Sequence, residues 1–302
     1  MKQVLVFGSL NMDMTIFTER LPEQGETLMG SDFKLSPGGK GANQAVAAAR
    51  LGASVAMLGC VGEDAFGRAL IESLRDAGVD TGAIRVAPEV GTGGAVITVA
   101  NGDNRIILYP GANALPDAGF VDCHRALLEQ SQSLMVQLEV PLAAVERAME
   151  LARQAGKRVF VNPAPARPLP EAFYRLADYL VPNETEAALL LGRSVATEAE
   201  VVEALVAFRA RGVREPIITL GARGAAFFAG EEPRIVPGLR VNAVDTTAAG
   251  DTFIGALAAA IGRGDALSQA IDFAQRAAAL CVGRKGAQAS IPTLAELSAT
   301  KA

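Results

Sequence analysis

Residues 242–262 read NAVDTTAAGDTFIGALAAAIG, and the second half of this stretch is a helix written in small and apolar residues. Phe253, Ile254, Leu257, Ala258 and Ile261 recur at helical spacing, which predicts a helix that begins at Ala249 or Gly250 and buries the stripe they form. Ahead of the stripe stand Ala248, Ala249 and Gly250, with no bulky side chain to screen the unpaired N–H groups and partial positive charge of a helix start. Such a terminus accommodates a phosphate or an oxyanion. Asp251 falls in the first turn, placed to take a proton from a hydroxyl held beside that anion, while Asp245 belongs to the loop before it. The same residues also fit a plain structural role, in which Asp251 complements the helix dipole and Gly250 permits a turn. What the stretch does therefore depends on what the rest of the chain brings to it.

Working outward, residues 131–229 alternate strand and helix patterns. LMVQLEV is a strand that ends at Glu139, followed by the helical LAAVERAMELARQAG. KRVFVNPAPARPLP is a strand running into a proline-rich loop, and ADYLVPNETEAALLLG is a strand, a turn and a helix. In that turn Asn183 suits an N-cap, and Glu186 three residues later can close a capping box. REPIITLGARGAAFFAG reads as a strand, a glycine turn at Gly221 to Gly224 and another strand. Strand–helix alternation predicts a parallel sheet, and Glu139, Asn183, Glu186, Thr219 and Gly221 all fall at strand ends, where open α/β sheets bind ligands.

The first third is different. Val4 to Phe7 is a buried strand, and GSLNMDMTIF then alternates, which puts Asn11 and Asp13 on one face of an extended segment. Two such groups can grip a polyol or simply form a solvated strand face. Residues 25–35 hold short strand-like runs, and residues 91–109 form a hairpin with its turn at Asn101-Gly102. These segments, approximately 11–36 and 91–110, predict a small β appendage on an α/β body that otherwise spans 1–302 as one domain. Between them SPGGKGANQAVAAARLGA starts a helix of small residues, where Gly38, Gly39 and Gly41 bring backbone close to whatever Lys40 and Asn43 face. It is not a Walker A loop, because Lys40 is followed by glycine.

The 302 residues are 50% hydrophobic, enough for a packed core, and a net charge of −5 without a basic run argues against a nucleic-acid surface. MKQVLVFGSL enters a strand directly, with no leader or apolar span, so the expected location is cytoplasmic and away from membranes. Cys60, Cys123 and Cys281 lack metal-site spacing and are expected in the core. The lone His124 lies in a polar helical segment, which speaks against a histidine-based nucleophile. No GxGxxG follows the first strand, which speaks against a nicotinamide cofactor.

GSLNMD, GGKGANQAVAAARLGA, QLE, NPAPAR, PNETEA, TLGARG, AVDTTAAGDTF and RKGAQAS occur in one order over essentially the whole chain. In this the sequence resembles the ribokinase (PfkB) family of carbohydrate and nucleoside kinases. The resemblance implies a Rossmann-like, mostly parallel sheet with helices on both faces and a small β lid, and ATP-dependent phosphorylation of the primary hydroxyl of a pentose, D-ribose first. It implies Asp251 as catalytic base, with the amides of Ala248, Ala249 and Gly250 stabilising the transferring phosphoryl group. Asn11, Asp13, Gly39, Lys40, Asn43 and Glu139 would hold the sugar, and Asn183 and Glu186 would lie near the triphosphate and its Mg2+. Thr219, Gly221, Ala222, Arg223 and Gly224 would line the nucleotide site. A monovalent cation, K+, would sit among Asp245, Thr247, Cys281, Arg284, Gly286 and Ser290. The lid would pair two chains into a homodimer. One position departs from the family pattern: Gln275 stands where many members carry histidine near the adenine. The alternatives are a kinase for 2-deoxyribose, another sugar or a nucleoside, and a catalytically silent sugar-binding regulatory protein.

Overall fold

The computed structural model describes residues 2–101 and 103–299. Seven parallel strands make the central sheet, in the order Glu215–Pro216, Tyr179–Leu180, Arg158–Val161, Ser131–Val136, Lys2–Phe7, Val55–Gly62, Asp80–Ala87. Alternation along each strand divides the core between its two faces. Val4, Val6, Met57 and Met135 pack with the helices Lys40–Arg50, Ala249–Arg263 and Leu267–Val282, whereas Leu5, Phe7, Leu58 and Val136 pack with Leu142–Gln154 and Glu198–Ala210. The strand order reverses beside Lys2–Phe7: the chain first extends the sheet through 55–62 and 80–87, then returns to lay Ser131–Val136 on the other side. Such switch points are where α/β sheets take ligands; Gly8 and Ser9 follow one of these two strands and Gln137 to Glu139 follow the other. The crevice itself is walled from the carboxyl ends of Arg158–Val161 and Tyr179–Leu180, through Asn162, Val181 and Asn183.

The appendage is a separate four-stranded sheet, in the order Asp32–Gly38, Asn11–Thr18, Gly93–Ala100, Asp103–Tyr109. Its outer pairs are antiparallel and its middle pair is parallel. Residues 25–31, expected to include strand, are not strand, and the second strand runs on to Gly38. Asn101 takes the left-handed φ of 54° that the expected turn demands, and its partner Gly102 lies outside the described residues. Phe33, Leu35, Val96, Ile106, Ile107, Leu108 and Tyr109 of this sheet are exposed.

Four further expectations need correction. The strand expected to end at Glu139 ends at Val136, and residues 137–139 follow it outside the strand. The segment expected as one strand before Gly221 is two: Glu215–Pro216 completes the central sheet, and Ile218–Thr219 joins a small antiparallel sheet with Ala225–Ala229 and Glu232–Val236. The run keeps its backbone ladder to the central sheet, from Glu215 N–H to Asp178, Ile217 N–H to Leu180 and Thr219 N–H to Pro182, while Ile218 and Thr219 also pair with Ala226 and Ala225. The helix Ala249–Arg263 buries far more than a stripe, since every residue from Asp251 to Ile261 is buried. Small residues allow helices to close on it from more than one side. At Gly255 a Cβ would sit 2.6 Å from Ala47 Cβ and 2.9 Å from Gln44 O, so only glycine lets the helix Lys40–Arg50 approach this closely. Finally, Cys123 is exposed, unlike Cys60 and Cys281.

Candidate active site

The close crossing at Gly255 brings the first turn of Lys40–Arg50 against the first turn of Ala249–Arg263. Asp251 is 8% exposed, and both its oxygens are held: Asn43 Nδ2 donates to Oδ2 at 3.0 Å and Gln44 Nε2 to Oδ1 at 2.9 Å. Gln44 Nε2 also donates to Asn162 Oδ1 at 3.0 Å, while its Oε1 accepts from Gln137 Nε2 at 2.5 Å. The polarity of this chain is anchored in the backbone: Asn162 Nδ2 donates to the Val181 carbonyl at 3.0 Å, which leaves its Oδ1 to accept and Gln44 to donate. Both oxygens of Asp251 thus accept from N–H donors, an arrangement that fixes the plane of the carboxyl group. Asn43 Oδ1 is buried with no protein partner among the described residues, an acceptor open to a bound hydroxyl.

The helix carrying Asp251 starts under strain. Ala248 is its N-cap at φ 60°, the left-handed region that a residue with a Cβ disfavours by roughly 1–3 kcal/mol. Its carbonyl accepts Thr252 N–H at 2.8 Å, so the chain enters the helix abruptly and exposes the helix start to the cleft. Ala249 N–H is turned onto the Thr246 carbonyl at 3.3 Å. The cleft wall comprises Ala248 to Asp251 with Lys40, Asn162, Asn183, Glu186, Thr219 and Thr246.

At the other end Glu139 Oε2 accepts from Ser9 Oγ at 2.5 Å, the Lys40 N–H at 3.1 Å and Asn11 Nδ2 at 3.5 Å. Gly39 makes this turn, with φ 90° and a missing Cβ that would lie 2.7 Å from Asn11 N. Burial, with Glu139 and Asp251 nearby, raises the Asp13 carboxyl to about 7, against the pull of Lys40. Burial works against the charge of Lys40, yet Asp251, Glu139, Glu186 and Asp13 together hold its pKa above the usual range. One ammonium therefore serves four carboxyl groups.

Asn183 and Glu186 do form the capping box: Glu186 N–H reaches Asn183 Oδ1 at 2.8 Å and Asn183 N–H reaches Glu186 Oε2 at 2.9 Å. Both also face the cleft, and burial raises the pKa of Glu186. Of the expected nucleotide residues, Thr219 is on the wall, Gly221, Ala222 and Arg223 form an exposed turn beside it, and Gly224 is buried. Arg223 pairs with Glu184. Gln275 is buried in Leu267–Val282 and is not on the cleft wall.

The expected cation residues converge behind the helix start. Asp245 Oδ1 accepts Thr247 N–H and Oδ2 accepts Gly286 N–H, both at 2.9 Å, while Cys281 Sγ lies 3.0 Å from Ser290 Oγ. Burial opposes the charge of Asp245, but the hydrogen bonds from Thr247 and Gly286 hold its pKa below the usual range. Arg284 instead turns to Glu296 at 2.8 Å. His124 donates from Nδ1 to the Phe120 carbonyl at 2.8 Å between two short helices, a structural contact. Ser9, Gln44, Asn113, Gln137 and Asn162 escaped the sequence reading. The polar Gln44 inside an alanine-rich helical face was the one local signal available.

A crevice at the carboxyl ends of parallel strands, a buried carboxylate at an open helix start and a rim of polar groups define a phosphotransferase acting on a hydroxylated acceptor. Residues 1–294 match the pfkB family of carbohydrate kinases. The ribokinase of Haemophilus influenzae is 43% identical over 98% of this chain and 97% of its own. The deoxyribokinase of Salmonella typhi is 38% identical over 98% and 97%. An Arabidopsis thaliana ribokinase solved with ribose and ATP is 32% identical and superposes with a TM-score of 0.93 over 99% of both chains. The chain belongs to the pfkB family of carbohydrate kinases.

Proposed function

We propose that this kinase transfers the γ-phosphoryl group of ATP to the 5-hydroxyl of D-ribose, giving D-ribose 5-phosphate and ADP. The observation that carries the proposal is Asp251, buried at the cleft wall with both oxygens fixed by Asn43 and Gln44. The sugar lies between Asp251 and the group formed by Asn11, Asp13, Gly39, Lys40, Asn43 and Glu139. As the hydroxyl oxygen bonds to phosphorus and the bond to ADP breaks, Asp251 takes the hydroxyl proton. Held in one plane by Asn43 and Gln44, the carboxylate is positioned for proton transfer in a reaction governed by alignment and charge stabilisation. The start of Ala249–Arg263, with the amides of Ala248 and Gly250, faces the developing charge, and Lys40 adds a full positive charge; the Ala249 amide, expected to join them, is held by the Thr246 carbonyl.

Four carboxyl groups and one ammonium give the triphosphate a negative reception, which calls for a divalent counter-charge. The hard oxygen donors at Asn183 and Glu186 would hold Mg2+, which would supply that counter-charge; among the described residues no cluster of three acidic, histidine or cysteine side chains would hold it alone. Thr219, Gly221, Ala222, Arg223 and Gly224 form the nucleotide side, while Gln275, expected near the base, is buried away from the cleft wall. The oxygen-rich turn around Asp245, Thr247, Gly286 and Ser290 fits K+, bordered by Cys281, with Arg284 directed outward. Bound there, the ion would supply positive charge behind the anion site.

The four-stranded sheet, rooted at Asn11 and Gly38, serves as a lid, and its exposed apolar residues pair with a second copy in a homodimer. No helix among the described residues is long and apolar enough to cross a membrane. ATP as donor is consistent with a cytoplasmic enzyme.

The test is turnover of ribose, 2-deoxyribose and adenosine with ATP and Mg2+, with and without K+. Ribose should give the highest kcat/KM, and K+ should raise it. Higher efficiency with 2-deoxyribose would move the assignment to the activity named for the Salmonella relative. No turnover of any sugar would sink the catalytic reading.

A further inference from the structure

Asn113 has no part in the mechanism above, yet it is 1% exposed and fully engaged. It lies in the short turn Gly111–Ala114, just after the last strand of the four-stranded sheet. Its Oδ1 accepts the Leu10 N–H at 2.9 Å, and its Nδ2 donates to the Leu10 carbonyl at 3.1 Å. A backbone N–H only donates and a carbonyl only accepts, so these two contacts admit a single orientation of the Asn113 amide. The remaining hydrogen on Nδ2 goes to Asn11 Oδ1 at 2.7 Å. Asn11 Oδ1 is thereby committed as an acceptor, and the Asn11 amide hydrogens are turned toward Glu139, whose Oε2 lies 3.5 Å from Nδ2. Polarity passes from the Leu10 backbone through Asn113 to Asn11.

We propose that Asn113 is a positioning residue that fixes Asn11 as a donor, so that Asn11 and Glu139 jointly read one ring hydroxyl of the sugar. Asn11 donates to its oxygen and Glu139 accepts its hydrogen. A flipped Asn11 would set two acceptors against a group with one hydrogen. A sugar lacking that hydroxyl takes away a partner from the buried Asn11 amide and from Glu139 together, the kind of loss by which sites discriminate most strongly. The inference rests on the sugar-kinase reading, and Asn113 acts only through Asn11.

The experiment measures kcat and KM for ribose, 2-deoxyribose and 3-deoxyribose in the wild type, Asn113→Asp, Asn11→Ala and the double variant. Asn113→Asp keeps the size of the side chain and its acceptance from Leu10 but removes both donations. The wild type should favour ribose over at least one deoxy sugar, and Asn113→Asp should cut that preference about tenfold or more, mainly through KM. In the Asn11→Ala background the same substitution should leave the preference unchanged, because there is no amide left to orient. Asn113→Ala, which frees the Asn11 amide without adding charge, should lose the preference as well if the aspartate variant fails to fold. Equal loss for all three sugars, an effect that persists without Asn11, or a wild type indifferent to the deoxy sugars would overturn the proposal. A wild type that ignores ribose overturns the substrate assignment instead, and the same cycle on the sugar it does phosphorylate, with that sugar's deoxy analogues, still scores Asn113.

Discussion

The two ends of the sugar site are held by different chemistry. At the Asp251 end the neighbours are neutral amides, Asn43 and Gln44, locked by Asn162 and Gln137 and by a helix crossing that only Gly255 permits. At the Asn11 end charges crowd together, with Asp13 and Glu139 near Lys40, on segments that lead into an exposed sheet. The difference follows the reaction. Where bonds change, a carboxylate needs fixed geometry, since misplacement there costs rate. Where hydroxyls are merely held, carboxylates and an ammonium give strong acceptors and donors.

The sharpest way to break this contrast is Asp251→Asn. It should retain ribose binding by calorimetry while kcat falls roughly 100- to 10,000-fold, the usual cost of removing a positioned base. Turnover near the wild-type rate would mean that the amide-held end does not carry the proton transfer. Next in size, Gly255→Ala forces the two helices apart and should cost about 1–3 kcal/mol in denaturant unfolding. It should also lower kcat more than it changes KM for ATP, because Asn43 and Gln44 move with their helix. An unchanged kcat would show that the crossing serves stability alone.

The charged end should respond to pH. Asp13 has its folded pKa raised from 3.8 to about 7, so the folded state binds its proton more tightly than the unfolded state does. Its contribution is fully present below 3.8 and is lost as pH rises through about 7. Asp13→Asn should therefore gain thermal stability relative to the wild type between pH 5 and pH 8, and ribose KM of the wild type should rise as pH falls below 7. A Tm difference that is flat across this range would contradict the crowding. The smallest effect belongs to the rim: Asn183→Ala removes an N-cap and should cost about 1 kcal/mol of stability. If Asn183 also faces the triphosphate, KM for ATP rises in the same variant; a stability loss alone would confine it to capping.

Much of this was readable from local pattern. The start of the helix at Ala249, the cap at Asn183, the shared face of Asn11 and Asp13 and the strand that leads to Glu139 all depend on residues a few positions apart. Where the sequence reading slipped, a long-range contact decided. One apolar run is shared between two sheets because Ile218 and Thr219 pair with Ala226 and Ala225 while Ile217 and Thr219 still donate to Leu180 and Pro182. The helix after Gly250 is buried all round because alanine-rich neighbours close on it, which a stripe of apolar residues does not reveal. Cys123 is exposed at the end of a helix too short to bury it.

The sequence by itself therefore determined the parallel α/β body, the open helix start with Asp251 in its first turn, and the motif order that marks a pfkB kinase. Periodicity and capping act over a few residues, and motifs are contiguous. Only the tertiary structure decided which atoms meet Asp251 and which way Asn11 points. Gln44 reaches Asp251 across 207 positions and Asn113 reaches Leu10 across 103. Such contacts exist only after the sheet reverses its order beside Lys2–Phe7, and the direction of each amide is set by backbone groups that the fold, not the local sequence, places opposite it.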